Sequence, residues 1–314
     1  MRVIDAHHHL WDPVSGRSGV GYTWLRDIGA PKPFGDPTPI QRDYLADEYL
    51  AESAHEVVGS VHVQADGALP DPARETAWLE RVAGEHGVPS AIVGFADLAA
   101  PDLDALLDRH AAASPRFRGA RQIIARTEGL PAISFAPREF LDDPAWREGY
   151  ALLNERNLLF DLQLHPAQMT RAAEFVGEHP GVPVAIDHAG SPHDRSERGL
   201  REWREGMGAL AAVPHATCKI SGLGMFDPDW TATTMAPVID AILELFGPER
   251  TMWGSNFPVD KLFGSFDRAL DSVAARVPQA MRNAVFRDTA ARFYRIDAPG
   301  AAAGAAVDGA APAV

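Results

Sequence analysis

The chain has 314 residues, 46% of them hydrophobic and 23% charged, enough apolar material for one large core. Its formal net charge of −14 repels phosphate backbones and anionic lipid, which argues against nucleic-acid or membrane partners. A single cysteine, Cys218, rules out an intrachain disulfide and fits a reducing compartment. The N-terminus runs from Met1-Arg2-Val3-Ile4 straight into histidines, without the apolar core of a secretory signal. No apolar run approaches the roughly 20 residues of a membrane span, so a cytoplasmic protein is expected.

Short apolar runs rich in branched residues alternate with longer stretches of helical period. Strands are expected at Arg2–Ala6, Val57–Val63, Ser90–Phe95, Phe117–Arg121, Leu158–Leu164, Val182–Ile186, Ala216–Ile220 and Thr251–Trp253. Between them, helical spacing runs over Pro72–His86, Leu103–Ala112, Pro144–Arg156, Gln168–Glu178, Leu200–Ala212, Met235–Phe246 and Phe266–Arg276. Eight repeats of strand and helix within one chain predict a single (β/α)8 barrel, with a doubly wound open sheet as the alternative. Residues 11–42 break the alternation with Gly, Pro and aromatics, and follow the first strand, where barrel enzymes build lids and specificity walls. Residues 298–314 are almost all Ala, Gly, Pro and Val and are expected to form a frayed tail.

Polar side chains cluster where the strands should end. In Asp5-Ala6-His7-His8-His9, alternation puts His7 and His9 on one face, toward the barrel mouth, and His8 toward the wall. Paired imidazoles can hold a divalent cation, bind substrate or relay protons. His188 ends the sixth run and His165 follows the fifth, while His62 lies lower in the second strand. Arg118 and Arg121 are separated by an odd number of positions, so a regular strand sends only one of them into the mouth. Either guanidinium suits a carboxylate. Lys219, inside an apolar strand, must be paired, either with substrate oxygen or in a structural ion pair.

The spacing Asp5-x-His7-x-His9 resembles the opening motif of the amidohydrolase superfamily. Leu10-Trp11 and Tyr22-Thr23-Trp24-Leu25 are similar to its lactonase branch, which includes sugar-acid lactone hydrolases and the 2-pyrone-4,6-dicarboxylate lactonase. His62-Val63-Gln64-Ala65, Phe117 to Gln122, Asp187-His188-Ala189-Gly190, Lys219 to Leu223 and Gly254 to Asp260 match in order, so the resemblance runs to about Ile296. It implies a hydrolase in which water attacks a lactone carbonyl near His7, His9 and His188, with Arg118, Arg121, His165, Lys219 and Trp24 as substrate contacts. It also implies either no metal or one divalent ion, best zinc, held by His7, His9 and His188. A homo-oligomer is compatible with it.

One position departs from the pattern. The superfamily usually ends its eighth strand with an aspartate that takes the proton of the attacking water, and this chain has Asn256. An amide is no general base, although it can orient water or a carbonyl. Asp260 is expected to supply the missing carboxylate, or else a neutral histidine serves; Asp187, beside His188, is a further candidate but is expected to face away. The departure leaves two alternatives open: a decarboxylase of an aromatic or unsaturated acid on the same fold, or a barrel with a non-hydrolytic or binding role.

Overall fold

The computed structural model describes residues 1–297; the expected tail lies outside the described residues. Eight strands follow one another around a parallel sheet in sequence order. They are β1 (Arg2–His8), β2 (Glu56–Val63), β3 (Ala91–Phe95), β4 (Phe117–Ile123), β5 (Leu159–Gln163), β6 (Val184–Ile186), β7 (Ala216–Ile220) and β8 (Thr251–Trp253). The ring is drawn together between β1 and the segment after β8. The amide of Asn256 donates to the His7 carbonyl and that of His9 to the Phe257 carbonyl, both at 2.7 Å. Asp5 adds side-chain closure, accepting from the Ser255 amide at 2.8 Å and its hydroxyl at 2.6 Å. The architecture is the (β/α)8 barrel, not the open sheet.

The helices sit where the 3.6-residue period placed them. They comprise α2 (Ala73–His86), α3 (Leu103–Ala113), α4 (Pro144–Glu155), α5 (Met169–Gly177), α6 (Glu197–Ala211), α7 (Ala232–Phe246) and α8 (Phe266–Arg276), after a short α1 (Ala46–Leu50) and before α9 (Thr289–Tyr294). Side-chain oxygens of Asp143, Ser196, Thr231 and Ser265 cap the starts of α4, α6, α7 and α8. The outer core joins these helices to outward-facing strand residues such as Phe160, Leu162, Val184 and Ile186. A second, inner cluster joins Val61, Val63, Val93, Leu159, Ala185 and Met252 to Tyr294 and Ile296, so α9 plugs the N-terminal end of the barrel. The C-terminal ends of the strands are left for the site.

Candidate active site

A cavity of about 420 Å³ opens at the C-terminal ends of the strands. His9, Gln64, Arg121, Gln163, His188 and Asn256 supply most of its polar wall, to which Lys32 and Asp66 add one charge of each sign. Trp11, Trp24, Phe34, Phe95, Phe135 and Phe140 supply most of the apolar one. The loop of residues 11–42 therefore does form a wall. Trp24 is held there by donating its indole N–H to the Ala65 carbonyl at 2.7 Å.

The first-strand histidines separate as alternation predicts. His8 stacks on Tyr49 of α1 with ring centroids 4.1 Å apart, and its Nε2 meets the Ser60 hydroxyl at 3.1 Å. His7 and His9 stay together, their rings 5.1 Å apart and edge-on, and the His188 ring stands 4.5 Å from that of His7. His9 Nδ1 lies 2.7 Å from the Val63 carbonyl, which can only accept, so Nδ1 carries the hydrogen and Nε2 the lone pair. His188 Nδ1 meets the Ser221 hydroxyl at 3.0 Å. Burial pushes the pKa of all three rings below the ordinary histidine value, to about 3 for His188, and keeps them neutral. His188 and Asn256 both take left-handed backbone angles, φ 51° and 56°, which cost non-glycine residues free energy and are common at functional sites.

Beneath the cavity lies a network of buried charges. Asp187, expected to face away, faces inward instead. Its Oδ2 is 3.1 Å from Arg121 Nε, and its Oδ1 is 3.0 Å from Lys219 Nζ and 3.4 Å from His7 Nδ1. The strand continues its alternation one residue beyond Ile186, so Asp187 follows Ala185 to the inside. Lys219 also pairs with Asp161, which accepts from the Tyr294 hydroxyl at 2.9 Å. Lys219 therefore forms the buried ion pair and does not line the cavity. Arg121 donates to the Gln64 carbonyl at 3.3 Å and to the Gln163 side chain, and lines the cavity with what remains of its donors.

Four further candidates lie elsewhere. Arg118 occupies the opposite strand face at the far end of the barrel, donating to the Tyr294 carbonyl at 2.8 Å. Odd spacing from Arg121 sends it there, and it makes no contact with the cavity. His165 lines a neighbouring cavity of about 310 Å³ with His193, and its Nδ1 meets the Thr127 hydroxyl at 2.8 Å. His62 binds the Leu10 carbonyl at 3.2 Å, a structural role. Asp260 is buried behind Asn256, accepting its side-chain amide at 3.0 Å, and does not reach the cavity. It lies on the far side of the amide it was expected to replace.

His7, Asp187 and His188 bring one donor atom each within 4.8 Å of one another, a grouping compatible with a divalent ion, whereas His9 lies outside that group. Neutral imidazoles and a carboxylate suit zinc, and His7 Nε2 has no hydrogen-bond partner among the described residues. Both oxygens of Asp187, however, already face cations.

Asp161, Gln163 and Ser221 were not singled out from the sequence as parts of the site, and Asp187 was named there only as a candidate expected to face away. Asp161 and Gln163 share a strand face in an otherwise apolar run, and a buried lysine requires a buried carboxylate; these were the available signals.

The chain is similar to known proteins along almost its whole length. The chain is 39% identical over 301 residues to the uncharacterised protein y4mH of Sinorhizobium fredii, covering 94% of this chain and 99% of that one. It is 31% identical to the L-fucono-1,5-lactonase of Burkholderia multivorans, over 94% of this chain and 97% of the relative. A Burkholderia multivorans amidohydrolase crystallised with bound zinc superposes with a TM-score of 0.75 at 30% identity, covering 94% of this chain and all of that one. The sequence profile of the amidohydrolase family matches residues 4–296. The chain belongs to the amidohydrolase family.

Proposed function

We propose that this enzyme opens a small, uncharged lactone of the sugar-acid type by water attack on the carbonyl. One observation carries the reading: at the strand ends the wall presents neutral donors and acceptors and one fixed charge, Arg121, which is matched beneath it, while Lys32 and Asp66 add one charge of each sign from the loops. Arg121 is matched by Asp187, and His9 and His188 are neutral; beneath the cavity Lys219 is likewise matched by Asp161. A polyhydroxylated ring meets such a surface without leaving an ion unpaired, and a dicarboxylate does not. The similarity to a fucono-lactonase points to the same substrate class.

The chemistry follows from the hydrogen positions. His9 Nε2 bears a lone pair and faces the cavity, so it accepts a proton from water as the water oxygen bonds to the lactone carbonyl carbon. Each terminal nitrogen of Arg121 spends one N–H hydrogen, on Gln64 and on Gln163, and its Nε faces Asp187 as an ion contact, which leaves one hydrogen on each terminal nitrogen for the developing oxyanion. Collapse breaks the ring C–O bond, and the departing alkoxide takes the proton back from His9, giving a hydroxy acid. A divalent ion held by His7, His188 and Asp187 would supply a Lewis acid at the same floor.

A panel of aldonolactones, followed by acid release in weakly buffered indicator, tests the reading. Ring opening by the wild type and a loss of about 10²-fold or more in kcat/KM for His9→Ala are expected. Folded protein that opens none of them, or that releases carbon dioxide from an aromatic acid instead, would overturn it.

A further inference from the structure

His7 is a buried imidazole of the site whose Nε2 has no hydrogen-bond partner among the described residues. Its Nδ1 has two neighbours of opposite character. The Asp187 carboxylate, at 3.4 Å, can only accept a hydrogen from it, and the Lys219 ammonium, at 3.3 Å, can only donate one to it. The lysine is the neighbour aligned for a hydrogen bond. The Asp187 oxygens find no aligned donor, although cations surround them. Lys219 is itself fixed, fully buried between Asp161 and Asp187, with Tyr294 bracing Asp161 from below.

We propose that Lys219 is a positioning residue that holds His7 as the tautomer with its hydrogen on Nε2. The consequence follows from valence alone. An imidazole that accepts at Nδ1 carries N–H at Nε2, and His7 Nε2 is the buried atom without a partner, in a ring 4.5 Å from His188 and 5.1 Å from His9. His7 then offers the floor of the site a hydrogen-bond donor rather than a metal-binding lone pair. With Lys219 absent, Nδ1–H would turn to Asp187, the lone pair would move to Nε2, and the carboxylate–histidine arrangement that supports a bound metal would form. One side chain thus decides whether this floor favours an oxyanion or a divalent ion. The use of the Nε2 hydrogen as an oxyanion donor rests on the hydrolytic reading, whereas the tautomer does not.

Long-range proton–nitrogen correlation spectra of histidine-labelled protein read the tautomer directly, with the His7 signals assigned by their loss in His7→Gln. The wild type should show a protonated Nε2 and a bare Nδ1. Lys219→Met should invert the pattern and bind zinc at least tenfold more tightly in competition with a chromophoric chelator. The paired variant Asp161→Asn with Lys219→Met removes both buried charges together and keeps the test open if the single variant does not fold. A wild-type Nδ1 that carries the hydrogen, or equal zinc affinity with and without the lysine, would overturn the proposal. A wild type with Nε2–H that opens no lactone would overturn the proposed reaction and leave this assignment standing.

Discussion

Asn256 donates its side-chain amide to the buried carboxyl of Asp260, four residues further on, at 3.0 Å. The pairing turns the eighth-strand position from a base into a fixed polar contact. Burial raises the Asp260 pKa to about 7, against the lowering effect of the Asn256 hydrogen bond. Asn256→Asp would restore the usual family residue but place two carboxyls within hydrogen-bond distance. They would share one proton at neutral pH, and the folded state would hold that proton more tightly than the unfolded chain. Such a group stabilises below its unfolded pKa and loses that contribution as pH rises. Asn256→Asp should therefore lose about 1–2 kcal/mol more stability than wild type between pH 5 and pH 8. Urea unfolding at the two pH values measures it.

Glu75 gives a cleaner pH signature because it stands outside the site. It is 2% exposed on α2, accepts from the Ala65 amide at 3.3 Å, and burial lifts its pKa to about 8. Below pH 4 the carboxyl is protonated in both states and costs nothing. From there to pH 8 the unfolded chain ionises while the folded protein does not, so stability falls across that window. The loss should reach on the order of 3 kcal/mol. Glu75→Gln keeps a neutral polar group of the same shape and should flatten the profile between pH 5 and pH 8. An unchanged slope in urea midpoints would remove Glu75 as its source.

Much of this arrangement was legible from residue order. Periodicity gave the eight strands and seven of the helices because each lies on a two-faced element with a clear apolar side. The short α1 and α9 span 5 and 6 residues, too few for a period to show. Odd spacing correctly divided Arg118 from Arg121. Alternation sent His7 and His9 inward, although the pairing of β1 with β2 shifts register between Asp5 and His8. What could not be read is which groups satisfy one another across the barrel. Asp187 was expected to face away beside His188, but it follows β6 directly and keeps that strand's alternation, which turns it inward. Asp260 was expected in the cavity because sequence spacing does not say on which side of Asn256 a turn will set it down.

Gly222 holds the imidazole of His188 by leaving space for it. Its φ is 63°, and a Cβ there would stand 2.5 Å from His188 Nδ1 and 2.7 Å from its Cγ. Neighbouring Ser221 supplies the hydroxyl that meets that same Nδ1. Gly222→Ala should cost about 1–2 kcal/mol for the left-handed backbone and push the ring from its place. Turnover should fall by about 10²-fold or more while the circular dichroism spectrum is retained, because misplacing a group by an ångström is that costly. A variant with full kcat would show that the His188 position is not critical.

The wall formed by residues 11–42 is fastened to the segment that follows β2, and that fastening separates binding from chemistry. Asp66, just past β2, accepts from the Thr23 amide at 2.6 Å and its hydroxyl at 2.8 Å, next to the Trp24–Ala65 bond. Gln41 ties the same loop to itself, donating to the carbonyls of Trp24 at 3.1 Å and Asp27 at 2.9 Å. Trp24 and Phe34 line the cavity from this loop and Asp66 lines it beside Ala65, whereas His9, Arg121, His188 and Asn256 sit at strand ends and Asp66 accepts its hydrogen bonds from Thr23 and Ala68. Asp66→Ala should cost about 2 kcal/mol in stability through two lost bonds to a carboxylate. It should raise KM about tenfold, because the apolar wall is no longer held against the substrate, and leave kcat within about threefold. Thr23→Val removes only the hydroxyl bond and should give a smaller change in the same direction. Proteolysis of Asp66→Ala should become faster within residues 11–42 and unchanged elsewhere. If kcat collapses with KM unchanged, the loop is taking part in the chemical step, and the division between a binding wall and a reacting floor is wrong.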